Sequence, residues 1–239
     1  MKLAILGYGK MGKVIERIAL ERGHEIGLKI TSSNLNELTK ENLSTQDAAI
    51  DFSVPSQVVN NIQVCFDSKL PIVVGTTGWY NQFEAIKSAC KDKNGALLTA
   101  TNFSVGVNLF FELNRKLAKL MNSRREYTAK VDEIHHTEKL DSPSGTAISL
   151  ADDLIENHES YQKWENQAIV DSADILPVIS KRETDVKGTH IISYESDVDK
   201  ISIEHFAKNR DGFGLGAVLA AEFIYQKTGV FNMQDVLKL

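Results

Sequence analysis

Lys2-Leu3-Ala4-Ile5-Leu6-Gly7-Tyr8-Gly9-Lys10-Met11-Gly12 is the stretch on which the fold turns. A short apolar run meets a glycine turn, and Val14, Ile15, Ile18 and Ala19 then recur at helical spacing as far as Gly23. Strand, turn and helix in that order give the G-x-G-x-x-G spacing the context it requires. The bare backbone and the unpaired N–H groups of a helix start suit a dinucleotide pyrophosphate. Gly7, Tyr8, Gly9, Lys10, Met11 and Gly12 are therefore the first candidate cofactor contacts.

The second strand reads Glu25-Ile26-Gly27-Leu28-Lys29-Ile30. About 20 residues beyond the turn, where an acid would bind the ribose 2′-OH of NAD, stand Thr31 and Ser32. Hydroxyls do not repel a 2′-phosphate, and Lys10 or Lys29 can lend positive charge, so NADPH is expected to serve at least as well as NADH. Further strands follow at Ala48 to Ser53, Pro71 to Val74 and Ala96 to Thr101, with Pro55 opening one intervening helix and another spanning Gln82 to Lys91. This alternation predicts a doubly wound parallel sheet of Rossmann type, with ligands at the carboxyl ends of its strands. Those ends add Ser53, Gly75, Thr76, Thr77, Ala100, Thr101, Asn102 and Phe103 as candidate cofactor contacts.

After an amphipathic helix from Val107 to Met121 the pattern changes. Tyr127 to Ile134 alternates like a strand, a helix runs from Ser144 to about Glu156, and strands follow at Ile175 to Ile179, Thr189 to Ser196 and Lys200 to Phe206. They predict a second α+β domain on an open, largely antiparallel or mixed sheet. Helical residues from Gly212 to Lys227 then return to the first domain. The expected division is residues 1–106 with 211–239 for the dinucleotide and 107–210 for substrate and oligomerisation, hinged near Val105-Gly106 and Asn209 to Gly212, with ligands meeting in the cleft between. An open sheet face needs a cover, which predicts a homo-oligomer.

Between that strand and helix lies Glu133-Ile-His-His-Thr-Glu-Lys-Leu-Asp-Ser-Pro-Ser-Gly-Thr-Ala147. Two imidazoles, His135 and His136, and the ammonium of Lys139 precede a helix start at Ser144, Gly145 and Thr146. Proton donors beside an anion seat outline a site for a small carboxylate substrate. On extended backbone His135 and His136 point to opposite faces, which gives them different tasks. As metal ligands His135, His136 and Glu138 lack helical i, i+4 spacing and have no cysteine nearby, so no metal site is expected.

Composition narrows the partners. The chain has 239 residues, of which 42% are hydrophobic, enough for a core without staples. With 27 basic against 32 acidic residues, a net charge of −5 and no basic stripe, nucleic acid and anionic lipid are not expected partners. No run of apolar residues is long enough to span a membrane, and Cys65 and Cys90 fit buried thiols of a reducing cytoplasm.

The chain resembles the 4-hydroxy-tetrahydrodipicolinate reductase, or dihydrodipicolinate reductase, family over nearly its whole length. The resemblance rests on Gly7 to Gly12, Asp51-Phe52-Ser53, Gly75 to Gly78, Asn102 to Asn108, residues 133–147 and Ile203-Glu-His205 through Arg210. It implies a cytoplasmic, tetrameric NADPH- and/or NADH-dependent enzyme of the diaminopimelate and lysine route. In it His135 and Lys139 handle the proton, and His136, Gly145 and Thr146 contact a dicarboxylate. The family's usual glycine loop has one more residue between its first two glycines, and many members carry a charged residue where Thr31 and Ser32 stand, departures that bear on cofactor choice. Hydride arriving at ring C4 of a conjugated imine leaves an enamine to be protonated at C3, a task for a positioned acid. Two other readings stay open at this point: a different two-domain Rossmann reductase, such as one acting on a semialdehyde, and a non-catalytic NADPH sensor.

Overall fold

A computed structural model describes residues 1–239. The chain forms two compact units, Met1–Val105 with Arg210–Leu239, and Gly106–Asn209.

In the first unit the elements are β1 (Lys2–Leu6), α1 (Lys10–Glu21), β2 (Glu25–Ile30), α2 (Lys40–Leu43), β3 (Ala48–Asp51), α3 (Pro55–Asp67), β4 (Ile72–Val74), α4 (Phe83–Asp92) and β5 (Ala96–Thr99). The long helix α5 (Val105–Met121) carries the chain into the second unit, which adds β6 (Thr128–His135), α6 (Gly145–Asn157), β7 (Lys163–Glu165), β8 (Ile175–Arg182), β9 (Thr189–Glu195) and β10 (Lys200–Phe206). The return segment supplies α7 (Asp211–Ile224), β11 (Gly229–Phe231) and α8 (Met233–Leu237).

The first sheet runs β11-β5-β4-β3-β1-β2, and every pairing in it is parallel. Side chains alternate across a strand, so β1 feeds two cores: Leu3 and Ile5 join α1 and α7, while Ala4 and Leu6 join α3 and α4. Helices on both faces leave no wet side, which is why β3 to β5 are buried without interruption. The strand order reverses between β1 and β3, and the crevice at their carboxyl ends is the natural ligand edge of such a sheet. β11 has no counterpart among the strands expected from the sequence. Three half-buried residues, Gly229, Val230 and Phe231, carry too short a signal, and the strand exists because β5 offers a free edge.

The second sheet runs β10-β9-β6-β8-β7 and is mixed: β6 pairs antiparallel to β9 and parallel to β8. One face packs on α5 and α6 through Ala129, Val131, Leu150, Leu154, Val178 and Ile192. The other carries Thr128, Lys130 and Asp132 of β6. Two long helices tied by the Asn114 Nδ2–H bond to Leu150 O (2.9 Å) close the core from one side only.

Candidate active site

The glycine turn opens at the end of β1, where the N–H groups of Gly7 and Tyr8 both donate to Ile30 O at 3.0 Å. Gly7 sits at φ +93°, and a Cβ there would lie 2.3 Å from Phe52 O, so both the backbone angle and the close approach demand glycine. Gly9 is the N-cap of α1, no side chain caps it, and beyond its chain neighbours nothing in the protein comes within 4 Å of where its Cβ would stand. The helix start is thus left open. Gly7, Tyr8, Gly9, Thr31, Ser32 and Ser53 border one cavity of about 460 Å³. No acidic residue lines it. Lys10 is exposed, Met11 half-buried and Gly12 buried behind the turn.

Two features of this edge have no local signal in the sequence. Tyr8 donates its hydroxyl to Glu16, whose other oxygen lies 2.5 Å from Lys29 Nζ, and that ammonium stands 4.9 Å from the Tyr8 ring centroid. The bond to Glu16 raises the Tyr8 phenol, and Lys29 lowers the Glu16 carboxyl. Lys29, offered above as a free positive charge for the cofactor, is held by Glu16. The second feature is Asp51, fully buried, which accepts from Thr76 Oγ1 (2.5 Å), Ser53 Oγ (2.9 Å) and Asn61 Nδ2 (2.7 Å). Thr76 Oγ1 also accepts from Ser53 N at 2.8 Å. The hydroxyl of Thr76 is therefore turned inward, and it latches two strand ends together.

Gly75, Thr76, Thr77, Ala100, Thr101, Asn102 and Phe103 do not border the cavity. Gly75 and Ala100 are half-buried, Thr77 and Thr101 are exposed, and Asn102 Oδ1 accepts from Ser104 N at 2.8 Å. Phe103 is buried, its ring centroid 5.7 Å from that of Phe52, and belongs to the core.

In the second unit β6 ends at His135, with Glu133 two residues earlier on the same face. Cross-strand register aligns Ser180, Glu133, His190 and His205 in one row over β8, β6, β9 and β10. Glu133 is wholly buried. Ser144 N donates to both its oxygens at 3.1 Å, Arg182 Nη1 lies 3.5 Å away, His135 Nδ1 3.3 Å and His190 Nε2 3.8 Å. The His135 and His190 rings meet edge to face at 5.1 Å. Ser144 is the N-cap of α6: its Oγ accepts from Ala147 N and sits 3.2 Å from His190 Nε2. Gly145 is exposed and Thr146 half-buried, and the Ser144 contacts with His190 and Glu133 set the start of α6 beside the imidazole cluster.

His135 and Ser144 are thus brought together, whereas His136, just past the strand, is half-buried and outside the cluster. Lys139 holds Asp141 in a two-pronged ion pair at 2.7 and 2.8 Å. Arg182, unremarked in the sequence, ties this loop down through bonds to Lys139 O (3.3 Å) and Asp141 O (2.6 Å). The signals for the missed groups were weak but present. Glu133 sits at i−2 from His135 in an alternating strand, and His190 occupies an inward position of Thr189 to Glu195.

Electrostatics polarise the cluster. Burial pushes the Glu133 carboxyl up, but the donors from His135 and Ser144 outweigh it and hold the group far below the usual carboxylate range. Burial, reinforced by the His135 charge, depresses His190 to about 4. His190 is therefore neutral at pH 7. Glu133, His135 and His190 place one ligand atom each within 4.8 Å of one another, a spacing a metal ion can use. The donor set argues otherwise: Ser144 N–H already engages both Glu133 oxygens, and the Arg182 cation stands beside them. Neither thiol offers a nucleophile, since Cys65 and Cys90 are buried and burial raises both.

A parallel sheet with an open glycine turn at its switch point, joined to a unit that sets imidazoles beside a helix start, defines an oxidoreductase of the Rossmann class. The chain belongs to the dihydrodipicolinate reductase family. The family's N-terminal model matches residues 1–103 and its C-terminal model residues 106–237. A 4-hydroxy-tetrahydrodipicolinate reductase of Christiangramia forsetii is 47% identical, covering 99% of this chain and 98% of its own. The Neisseria gonorrhoeae protein of the same name is 30% identical over 100% of this chain and 98% of its own. Among solved structures, a dipicolinate-bound dihydrodipicolinate reductase from Paenisporosarcina sp. TG-14 shares the fold with a TM-score of 0.78 at 21% identity, over 98% of each chain.

Proposed function

We propose that this chain reduces the cyclic imine dicarboxylate derived from 4-hydroxy-tetrahydrodipicolinate to tetrahydrodipicolinate, using NADPH or NADH, in diaminopimelate and lysine biosynthesis. The observation that carries the reading is His135 held against the buried Glu133, which also takes the N–H of Ser144, the N-cap of α6. One carboxylate of the substrate fits the N–H groups of Gly145 and Thr146 with Ser144 behind them, and the other fits His136 with neighbouring cations. His135 delivers the proton to C3, and Lys139 lends charge and a second proton source. The bound cofactor supplies the hydride to C4. Its pyrophosphate belongs on the open N-terminus of α1, with Gly7 to Gly12 beneath it, and its adenosine in the cavity bordered by Thr31, Ser32 and Ser53. Absence of an acid from that cavity supports use of NADPH at least as readily as NADH. The exposed Phe206 of β10, on the sheet face turned away from α5 and α6, supports a homo-oligomer, a tetramer by family likeness, formed over the second sheet.

The test is a coupled assay supplying the condensation product of pyruvate and aspartate semialdehyde, with NADPH and NADH oxidation followed separately. Oxidation dependent on that product is expected with both cofactors. Oxidation of neither refutes the reaction, and strong NADH preference refutes the cofactor reading. Light scattering of the purified protein decides the oligomer, a monomer being the result that removes it.

A further inference from the structure

Glu133 is the one wholly buried carboxylate of the second unit, and the reaction as written gives it no step. A buried anion of this kind is strongly destabilising unless it is satisfied. Here backbone N–H, imidazole and guanidinium groups all turn toward it. We propose that Glu133 is a positioning residue that fixes the tautomer and orientation of His135 and, through Ser144 N–H, anchors the α6 helix start against that ring. The inference rests on the reading of His135 as the proton donor.

The chemistry of the acceptor sets the tautomer. An ionised carboxylate only accepts, so the His135 nitrogen facing it across 3.3 Å, Nδ1, carries a proton. Nε2 is then the nitrogen that exchanges a proton: the imidazolium gives its Nε2 proton to C3 and is left as the neutral ring with Nδ1–H facing Glu133. Its surroundings agree: Gly188, at φ +152°, has no side chain, and a Cβ there would stand 3.1 Å from His135 Nε2 and 3.3 Å from Cδ2. The bare residue keeps the reactive end of the ring unobstructed. The same carboxylate takes Ser144 N–H on both oxygens, so proton donor and anion seat share one buried reference point. The Nδ1 contact is long and imperfectly aligned, as catalytic contacts often are before substrate arrives.

The experiment compares Glu133→Gln, His135→Gln and the double variant in the full-length protein. The carboxamide oxygen still accepts from Ser144, while its NH₂ donates toward His135 Nδ1 and forces the opposite tautomer. Glu133→Gln is expected to lower kcat about 10²-fold with nicotinamide cofactor affinity unchanged. Added to His135→Gln it is expected to cost no further turnover, because it acts through that ring. Losses that multiply, or a Glu133→Gln enzyme with near-normal kcat, overturn the proposal. His135→Gln with near-normal turnover instead overturns the reading beneath it. Should Glu133→Gln fail to fold, ¹⁵N-histidine NMR of the wild-type protein at about pH 8.5, well above the ordinary imidazole value, decides. The His135 signal, identified by its loss in His135→Gln, is expected as the Nδ1–H tautomer, and Nε2–H there overturns the proposal.

Discussion

The two helix starts, α1 and α6, are built for the same task by opposite means. α1 begins at Gly9 with no side-chain cap and open space where a side chain would stand. α6 begins at buried Ser144, whose hydroxyl caps Ala147 N and whose N–H is tied to Glu133. A bare start can receive a large, flexible anion in contact with backbone alone. A start with a fixed anion behind it can hold a small ligand in register with a proton donor, because seat and donor share one support. The difference teaches that binding and chemistry impose different demands on identical backbone physics.

The widest separation between the two is expected from His135→Gln, which should lower kcat by ~10²–10⁴ and leave cofactor affinity near its original value. Isothermal titration with NADPH beside steady-state rates would show whether chemistry belongs to the α6 side alone. Next comes pH. His190 takes its proton only at about 4 in the folded protein, against ~6.5 unfolded, so the unfolded chain binds more protons across that window. Stability should therefore fall as pH drops from ~6.5 to ~4, by a few kcal/mol at most, and His190→Gln should flatten that part of the denaturation profile. The Glu133 carboxyl, held low, extends the loss in the same direction below the ordinary Glu value.

Smaller effects probe the starts themselves. Gly9→Ala meets no atom beyond its chain neighbours at its Cβ, and although φ −93° is ordinary, ψ −146° lies outside the β region, so the melting temperature should fall by about a few degrees while NADPH affinity falls about tenfold or more. Equal affinity for both proteins would remove the pyrophosphate from the α1 start. Ser144→Ala should do the reverse, costing ~1 kcal/mol of stability by urea titration through the lost cap while NADPH affinity stays unchanged.

Chain order and periodicity carried the parallel sheet a long way. Gly7 to Gly12 announce their own structure because a turn and a helix start are local, and β2 and β10 fall where alternation and flanking turns predict them. Strands whose existence depends on a neighbour's free edge, β11 and β7, have no such local signature. The same division runs through the site. His135, Ser144 and Gly145 are close in sequence and readable as one segment, whereas Arg182, Gly188 and His190 lie more than forty residues from the strand they serve.

What the sequence by itself determined is thus the glycine turn, the alternation of strand and helix, and the imidazoles ahead of a helix start, since each is governed by residues within one or two turns of chain. Only the tertiary structure decided which way the polar side chains face. Register between β6 and β9 set His190 and Glu133 side by side, burial forced the carboxylate to collect donors, and Asp51 and Glu16 drew the Thr76 hydroxyl and the Lys29 ammonium into contacts within the protein. Such choices turn on desolvation and on partners distant in the chain, quantities that exist only once the sheet has formed.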